Sequence, residues 1–217
     1  MHLITDTRPG CDPLGVLRAA LAAARSADAT PDLVVQVRVE DDMTDRDAYE
    51  LTARAVAECA ANQVGCLVND RLHVALATGA AGAHVGALDL PVDAARRVLG
   101  PAAILGATAR DPATGRAAVA AGATYLGVGP CYATGTKTGL PDPIGPAGLA
   151  AVAAAVDVPV IAIAGVTVDR VPELLAAGAH GVAVVGAIAA AADPGRATAE
   201  LLAALRRRPA TQTGASR

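Results

Sequence analysis

The chain has no tryptophan and no phenylalanine, and its tyrosines are Tyr49, Tyr125 and Tyr132. Single-strand nucleic-acid binders rely on aromatic side chains as stacking platforms, so their near absence argues against such a partner. A net charge of −3 points the same way, because it supplies no broad basic surface for phosphate backbones. Long apolar runs are missing as well. The stretches 158–164 and 181–192 are interrupted by glycine or proline well before the roughly 20 residues a membrane span needs, so no membrane partner is expected. Leu3-Ile4 runs at once into Thr5-Asp6 and a Pro9-Gly10 turn, which is not the pattern of a signal peptide, and a cytoplasmic location is expected. Cys11, Cys59, Cys66 and Cys131 show no CxxC spacing and are expected to be buried free thiols. His2, His73, His84 and His180 lack metal-ligand spacing and a carboxylate partner, so they are assigned structural or surface roles. No GxSxG or Ser-His-Asp arrangement points to a hydrolase.

What the chain has in quantity is small aliphatic residues arranged in a repeating order. Short β-rich runs at 3–5, 33–39, 66–69, 82–85, 104–107, 125–128, 158–164 and 182–185 alternate with Ala-rich helical stretches. Asp111-Pro112 and Asp193-Pro194 each place a capping side chain before a proline at the first helical position. Thr44 and Asp47 have capping-box spacing with Asp in place of Glu. Gly79, Gly122 and Gly178 stand where helices should end in a left-handed conformation. The segments TGAAGAHVG, AGATYLGVG and AGAHGVAVVG repeat one helix-end, strand and glycine unit. Strict alternation favours a parallel sheet, and eight units favour its closure, so the fold class predicted is α/β, a single (β/α)₈ TIM barrel over residues 1–206. The basic, then Thr/Gly/Ala/Ser-rich segment 207–217 is expected to be a disordered tail.

In such a barrel the chemistry sits at the C-terminal ends of the strands. Strand two ends in VVQVRVEDD, which puts Gln36, Arg38 and Glu40 on one face by period-two alternation. An inward Arg is costly unless it meets an anion; the alternative is a pair with Glu40 or Asp41 at the mouth. Strand three ends in NDR, delivering Asn69, Asp70 and Arg71, and strand four is followed by GALDLP with Asp89. Either aspartate could cap a following helix, but two carboxylates on adjacent strand ends also make a hard-oxygen site of the kind Mg²⁺ adopts beside substrate phosphates. Strand six opens a loop of about eighteen residues without helical or strand period, a length that is usually functional. Its TGTK core groups Thr134, Thr136 and Lys137 around a glycine, offering hydroxyls, N–H groups and a cation to an anion. It lacks the upstream glycines and following helix of a Walker A loop. Gly165 and Gly186 after strands seven and eight stand where this fold commonly binds phosphate, although each alone also fits a plain turn.

Taken in order, LITD, VQVR, LVNDR, GAHVG with DLP, LGATA, YLGVGP with TGTK, PVIAIAG and GVAVVGAI resemble the thiamine-phosphate synthase family over residues 3–192. The resemblance implies a transferase. It would condense 4-amino-2-methyl-5-hydroxymethylpyrimidine diphosphate with 4-methyl-5-(2-hydroxyethyl)thiazole phosphate, or its carboxylated form, to thiamine phosphate and pyrophosphate. By resemblance Asp70 and Asp89 bind Mg²⁺, and Gln36, Arg38, Asn69, Thr108 and Lys137 hold the pyrimidine diphosphate. Thr134, Thr136, Gly165, Val185 and Gly186 hold the thiazole phosphate, and Arg38, Lys137 and Thr108 take the catalytic roles. Four positions depart from the pattern: many members carry Lys at Glu40, Ser at Thr108, Gly at Ala164 and Ser at Gly186. The expected partners are small phosphorylated substrates, and the chain is free to act alone or as a homo-oligomer. Two rivals are a thiazole tautomerase, which uses a His near the end of strand five where this chain reads GATARD, and a non-catalytic phosphate-ligand regulator.

Overall fold

Hydrogen bonding closes eight parallel strands in sequence order, β1 His2–Ile4, β2 Val34–Val37, β3 Gly65–Asn69, β4 Gly82–Val85, β5 Ile104–Ala109, β6 Tyr125–Val128, β7 Val160–Ile163 and β8 Gly181–Val184. The last pairs with the first through His2 opposite Ala183 and Leu3 opposite Val184, which makes the sheet a barrel. The computed structural model describes residues 1–136 and 139–207. Lys137, and all of the expected disordered tail except Arg207, lie outside the described residues.

The strands are short because both faces are covered, so the paired runs need little length to be buried. Strand two stops at Val37 and strand seven at Ile163, inside the stretches expected, whereas strand five runs on to Ala109 and so carries Thr108 within the sheet. Period-two alternation sends Ile4, Leu67, Tyr125, Ile161 and Ala183 into the barrel interior. The alternate residues, such as Leu3, Val35, Val68 and Leu126, face the helix layer.

The helices are α1 Pro13–Ser26, α2 Asp45–Ala61, α3 Leu72–Thr78, α4 Val92–Leu99, α5 Pro112–Ala120, α6 Gly145–Ala153, α7 Val171–Ala176, α8 Gly186–Ala189 and α9 Pro194–Arg206. Leu17, Leu21, Leu201 and Leu202 are fully buried on α1 and α9, the pair that covers the seam between the first and last strands. Burial of one such leucine contributes roughly 2 kcal/mol. Among the described residues no helix is long and apolar enough to cross a membrane.

The punctuation behaves largely as expected. Asp111 forms a capping box with Thr114, Asp193 accepts from Arg196 N, and Gly79 closes α3 at φ 68°. Thr44 accepts from Asp47 N, but the return bond runs from its hydroxyl to the Asp47 carboxylate, so the box is only half made. All four cysteines are free thiols; Cys59, Cys66 and Cys131 are buried, whereas Cys11 is exposed on the loop before α1, contrary to the expectation for it.

Candidate active site

The barrel mouth is built from the inward residues that follow each strand, and two groups of polar side chains converge there. On the side of β2 to β5, Gln36 Nε2 donates to Asn69 Oδ1 at 3.0 Å, and Asn69 Nδ2 donates to Asp70 Oδ2 at 2.8 Å. The first of these bonds crosses from β2 to β3, because the register sets Gln36 beside Leu67, two residues before Asn69 on the same face, and the second joins sequence neighbours at the end of β3. Asp70 then leaves the strand in a left-handed conformation, φ 51°, with its N–H donating to His84 O at 2.8 Å. Short polar residues tolerate that conformation, and it turns the carboxyl across the mouth.

Neither aspartate is spent as a helix cap. The N-cap of α3 is Arg71 and that of α4 is Pro91, both without a side-chain capping bond. Asp89 instead accepts from Gly86 N at 2.6 Å, folding the β4 loop back on itself. Burial raises the Asp70 carboxyl above the usual carboxylate range, and the nearby Asp89 charge raises it further. Two carboxylates that repel one another at a mouth otherwise rich in donors suit a divalent cation whose remaining ligands come from substrate and water. Among the described residues there is no third acidic, histidine or cysteine ligand, so the pair by itself is an open site.

Arg38 lies on the same side, with its Nη1 2.8 Å from Glu40 Oε1 and the side chain only 20% exposed. This is the pairing set out as the alternative to an anion, and it places Glu40 against the guanidinium. Thr5 fixes the backbone beneath, its hydroxyl accepting from Arg38 N at 2.9 Å and donating to Arg38 O at 2.7 Å. Arg71, expected to be delivered with Asn69 and Asp70, points elsewhere. It donates to Met43 O at 2.7 Å and pairs with Asp45 at 3.0 Å, fastening the β2 loop to α3.

On the side of β6 to β8 the long loop has neither helix nor strand among its described residues from Gly129 to Ile144. Thr136 N donates to Thr134 Oγ1 at 3.3 Å, and a Cβ added at Gly186 would lie 3.5 Å from Thr136 Oγ1. Gly165 has φ 65°, and a Cβ there would fall 2.6 Å from Ala133 O, so only glycine lets the β6 loop close on the β7 turn. Val185 faces the barrel interior and directly precedes the short helix α8, the extra helix after strand eight with which this fold commonly binds phosphate. Thr134, Thr136, Gly165, Val185 and Gly186 thus come together. A cleft of about 180 Å³ opens beside them, lined by Pro130, Tyr132, Thr134, Leu140 and Asp142 among others.

Two features of the mouth escaped the sequence reading. Asp6, at the end of β1, is buried and paired with Arg8 through two bonds of 2.9 and 2.6 Å, which hold its carboxyl below the usual range. His84, assigned a structural or surface role, lies directly under the site. Its Nε2 is 3.0 Å from Thr108 Oγ1 and its Nδ1 3.0 Å from the Tyr125 hydroxyl, while burial lowers its pKa to about 4. The signal was the inward alternation of Gly82, His84 and Gly86 beside Gly106, which leaves room for one large ring.

A family model described as thiamine monophosphate synthase matches residues 1–188. The chain is 64% identical over 205 residues to the thiamine-phosphate synthase of Salinispora arenicola, covering 94% of this chain and 96% of that protein. Among solved structures, a thiamine phosphate pyrophosphorylase from Pyrococcus furiosus is similar with a TM-score of 0.83 and 31% identity, over 94% of both chains. A 3-hexulose-6-phosphate synthase, at a TM-score of 0.65 and 22% identity over 94% of this chain and 99% of that one, shares the fold alone.

Proposed function

The chain belongs to the thiamine monophosphate synthase family of transferases, and we propose that it joins 4-amino-2-methyl-5-hydroxymethylpyrimidine diphosphate to 4-methyl-5-(2-hydroxyethyl)thiazole phosphate. The observation that carries the proposal is the layout of the mouth. An uncapped, mutually repelling Asp70 and Asp89 lie on one side, and a hydroxyl- and glycine-lined cradle lies on the other. A diphosphate with Mg²⁺ fits the first and a monophosphate the second.

Mg²⁺ held by Asp70 and Asp89 would supply neutralising charge to the departing diphosphate. Arg38 adds to this when it exchanges Glu40 for a phosphate oxygen, since a guanidinium pairs with either anion in the same forked geometry. Gln36 and Asn69, already locked together, present amide groups toward the pyrimidine. Thr108 offers a hydroxyl from β5, and Lys137 is the cation that the family resemblance assigns to this junction. The C–O bond to diphosphate breaks with its electron pair leaving on oxygen, and the thiazole nitrogen lone pair forms the new C–N bond. No protein nucleophile is needed, so preorganised charge and the holding of two substrates in line are the chain's contribution.

The test is to mix the purified protein with both phosphorylated precursors and Mg²⁺ and to follow thiamine phosphate by mass. Product is expected, and its absence at saturating substrate overturns the assignment. Asp70→Ala should abolish turnover while thiazole phosphate still binds; equal loss of both would show that the mouth is not divided as described.

A further inference from the structure

His84, Gly106 and Tyr125 stand side by side on β4, β5 and β6, joined by register, with the glycine between the two rings. A Cβ at Gly106 would collide with the Tyr125 ring and hydroxyl and with His84 Nδ1, and one at Gly127 would come within 2.9 Å of His84 Cε1. Both glycines therefore make space for a single purpose, a buried Tyr125–His84 pair that reaches Thr108 at the mouth. The rings are tilted with centroids 5.5 Å apart, so the contact between them is the hydrogen bond and not a stack.

Proton accounting along this line has one solution. Burial keeps the Tyr125 phenol protonated, and its hydrogen needs an acceptor, because a buried unused donor costs more than an unused lone pair. That acceptor is His84 Nδ1, 3.0 Å away. The neutral imidazole then carries its hydrogen on Nε2 and donates to Thr108 Oγ1, also at 3.0 Å. Thr108 Oγ1 has become an acceptor, and among the described residues nothing takes its own hydrogen. The hydroxyl sits beside the Gly86 turn that carries Asp89, and a Cβ on Gly86 would be 4.0 Å from it.

We propose that His84 is a positioning residue, locked by Tyr125 as its Nε2-protonated tautomer, that forces Thr108 to present a hydrogen-bond donor to the barrel mouth. The site then selects an acceptor at that point and rejects a donor. Resting on the function proposed above, the atom selected is an acceptor of the pyrimidine diphosphate, either a ring nitrogen or a phosphate oxygen.

Long-range ¹H–¹⁵N correlation spectra of the ligand-free protein at neutral pH read the tautomer without any turnover. The expected pattern is a protonated Nε2 and a bare Nδ1 for His84; a protonated Nδ1, or an imidazolium, overturns the proposal. Tyr125→Phe should release Nδ1 and mix the tautomers, and an unchanged pattern would overturn the role of Tyr125. The consequence for binding is read by calorimetry with the pyrimidine diphosphate and Mg²⁺. Tyr125→Phe should weaken affinity by about fivefold, the scale of one misdirected hydrogen bond, and should have no further effect in a Thr108→Ala background. An equal loss in both backgrounds would mean a merely structural role. His84→Gln, whose amide can still donate to Thr108, should retain more affinity than His84→Leu. If the protein makes no thiamine phosphate, the functional assignment fails while the tautomer result still stands or falls alone.

Discussion

Ala164 holds φ 75° on the turn after β7, a conformation that costs an L-residue with a Cβ about 1–2 kcal/mol. Glycine would remove that cost but would give back about 0.5–1 kcal/mol in chain entropy. Ala164→Gly is therefore expected to stabilise the protein by roughly 0.5–1 kcal/mol, seen as a melting temperature a few degrees higher; a lower one would show that the turn is not strained. Glu40 presents a different kind of cost. It occupies the guanidinium of Arg38 at 2.8 Å, so on the proposed function a diphosphate would have to displace a carboxylate before it gains the same contact. Glu40→Gln keeps a hydrogen-bond acceptor and removes the competing charge. Its Michaelis constant for the pyrimidine diphosphate should drop several-fold at low salt, with the gain shrinking as ionic strength rises. No change across that salt range would place Glu40 outside the binding step.

At the scale of elements, caps and one half-buried arginine hold the βα units in place. Asp12, Asp111 and Asp193 each satisfy N–H groups at the start of a helix whose first residue is proline. Arg96 on α4 does more, because its guanidinium donates to Gly100 O, Ala103 O and Gly122 O, at distances from 2.7 to 3.2 Å. It thereby ties the end of α4 to the approach of β5 and to the turn before β6. Arg96→Ala would strip charge-assisted donors from three carbonyls at once and is expected to cost about 2–4 kcal/mol in denaturant unfolding. Arg96→Lys should recover only part of this, since an ammonium cannot reproduce the planar fork. Neither variant touches the mouth, so kcat at a temperature well below unfolding should stay close to that of the parent.

The whole molecule carries its ionisable groups unevenly. His2 and His84 lie inside the barrel, where burial lowers their pKa values to about 3 and about 4. In the unfolded chain each ring takes a proton near pH 6.5. Between the two values the unfolded state binds more protons, so stability is fully present above pH 6.5 and is lost as pH falls toward 4. At pH 5 the loss should be about 2 kcal/mol for each ring. The Asp70 carboxyl, raised by burial and by Asp89, works in the opposite sense and recovers a little as pH falls. Urea midpoints at pH 7.5 and pH 5 should show the net decline. His2→Phe, which keeps a ring against Tyr125 and removes a titration, should reduce it by about 2 kcal/mol, the share of one ring. An unchanged decline would mean that the acid sensitivity arises elsewhere.

The amino-acid order alone determined the eight strands and their alternation with helices, because hydrophobic period, caps and glycine turns are local properties of the chain. Once a closed parallel barrel followed from that alternation, the residues after each strand were candidates for the mouth, which is why Gln36, Asn69, Asp70, Asp89, Thr134, Thr136, Gly165 and Gly186 were legible. What each side chain meets there was decided by closure and register, which join residues far apart in sequence. His84 reaches Thr108 across 24 positions and Tyr125 across 41. Arg71 turns away from its neighbour Asp70, and Asp89 closes on Gly86 where a cap for α4 was equally compatible with the sequence. The partners of a hydrogen-bonding group depend on direction in space, and period-two alternation gives only its side of the sheet. The barrel's closed cross-section supplies the missing direction, bringing the two polar groups together at the mouth over a histidine whose partners only closure could give.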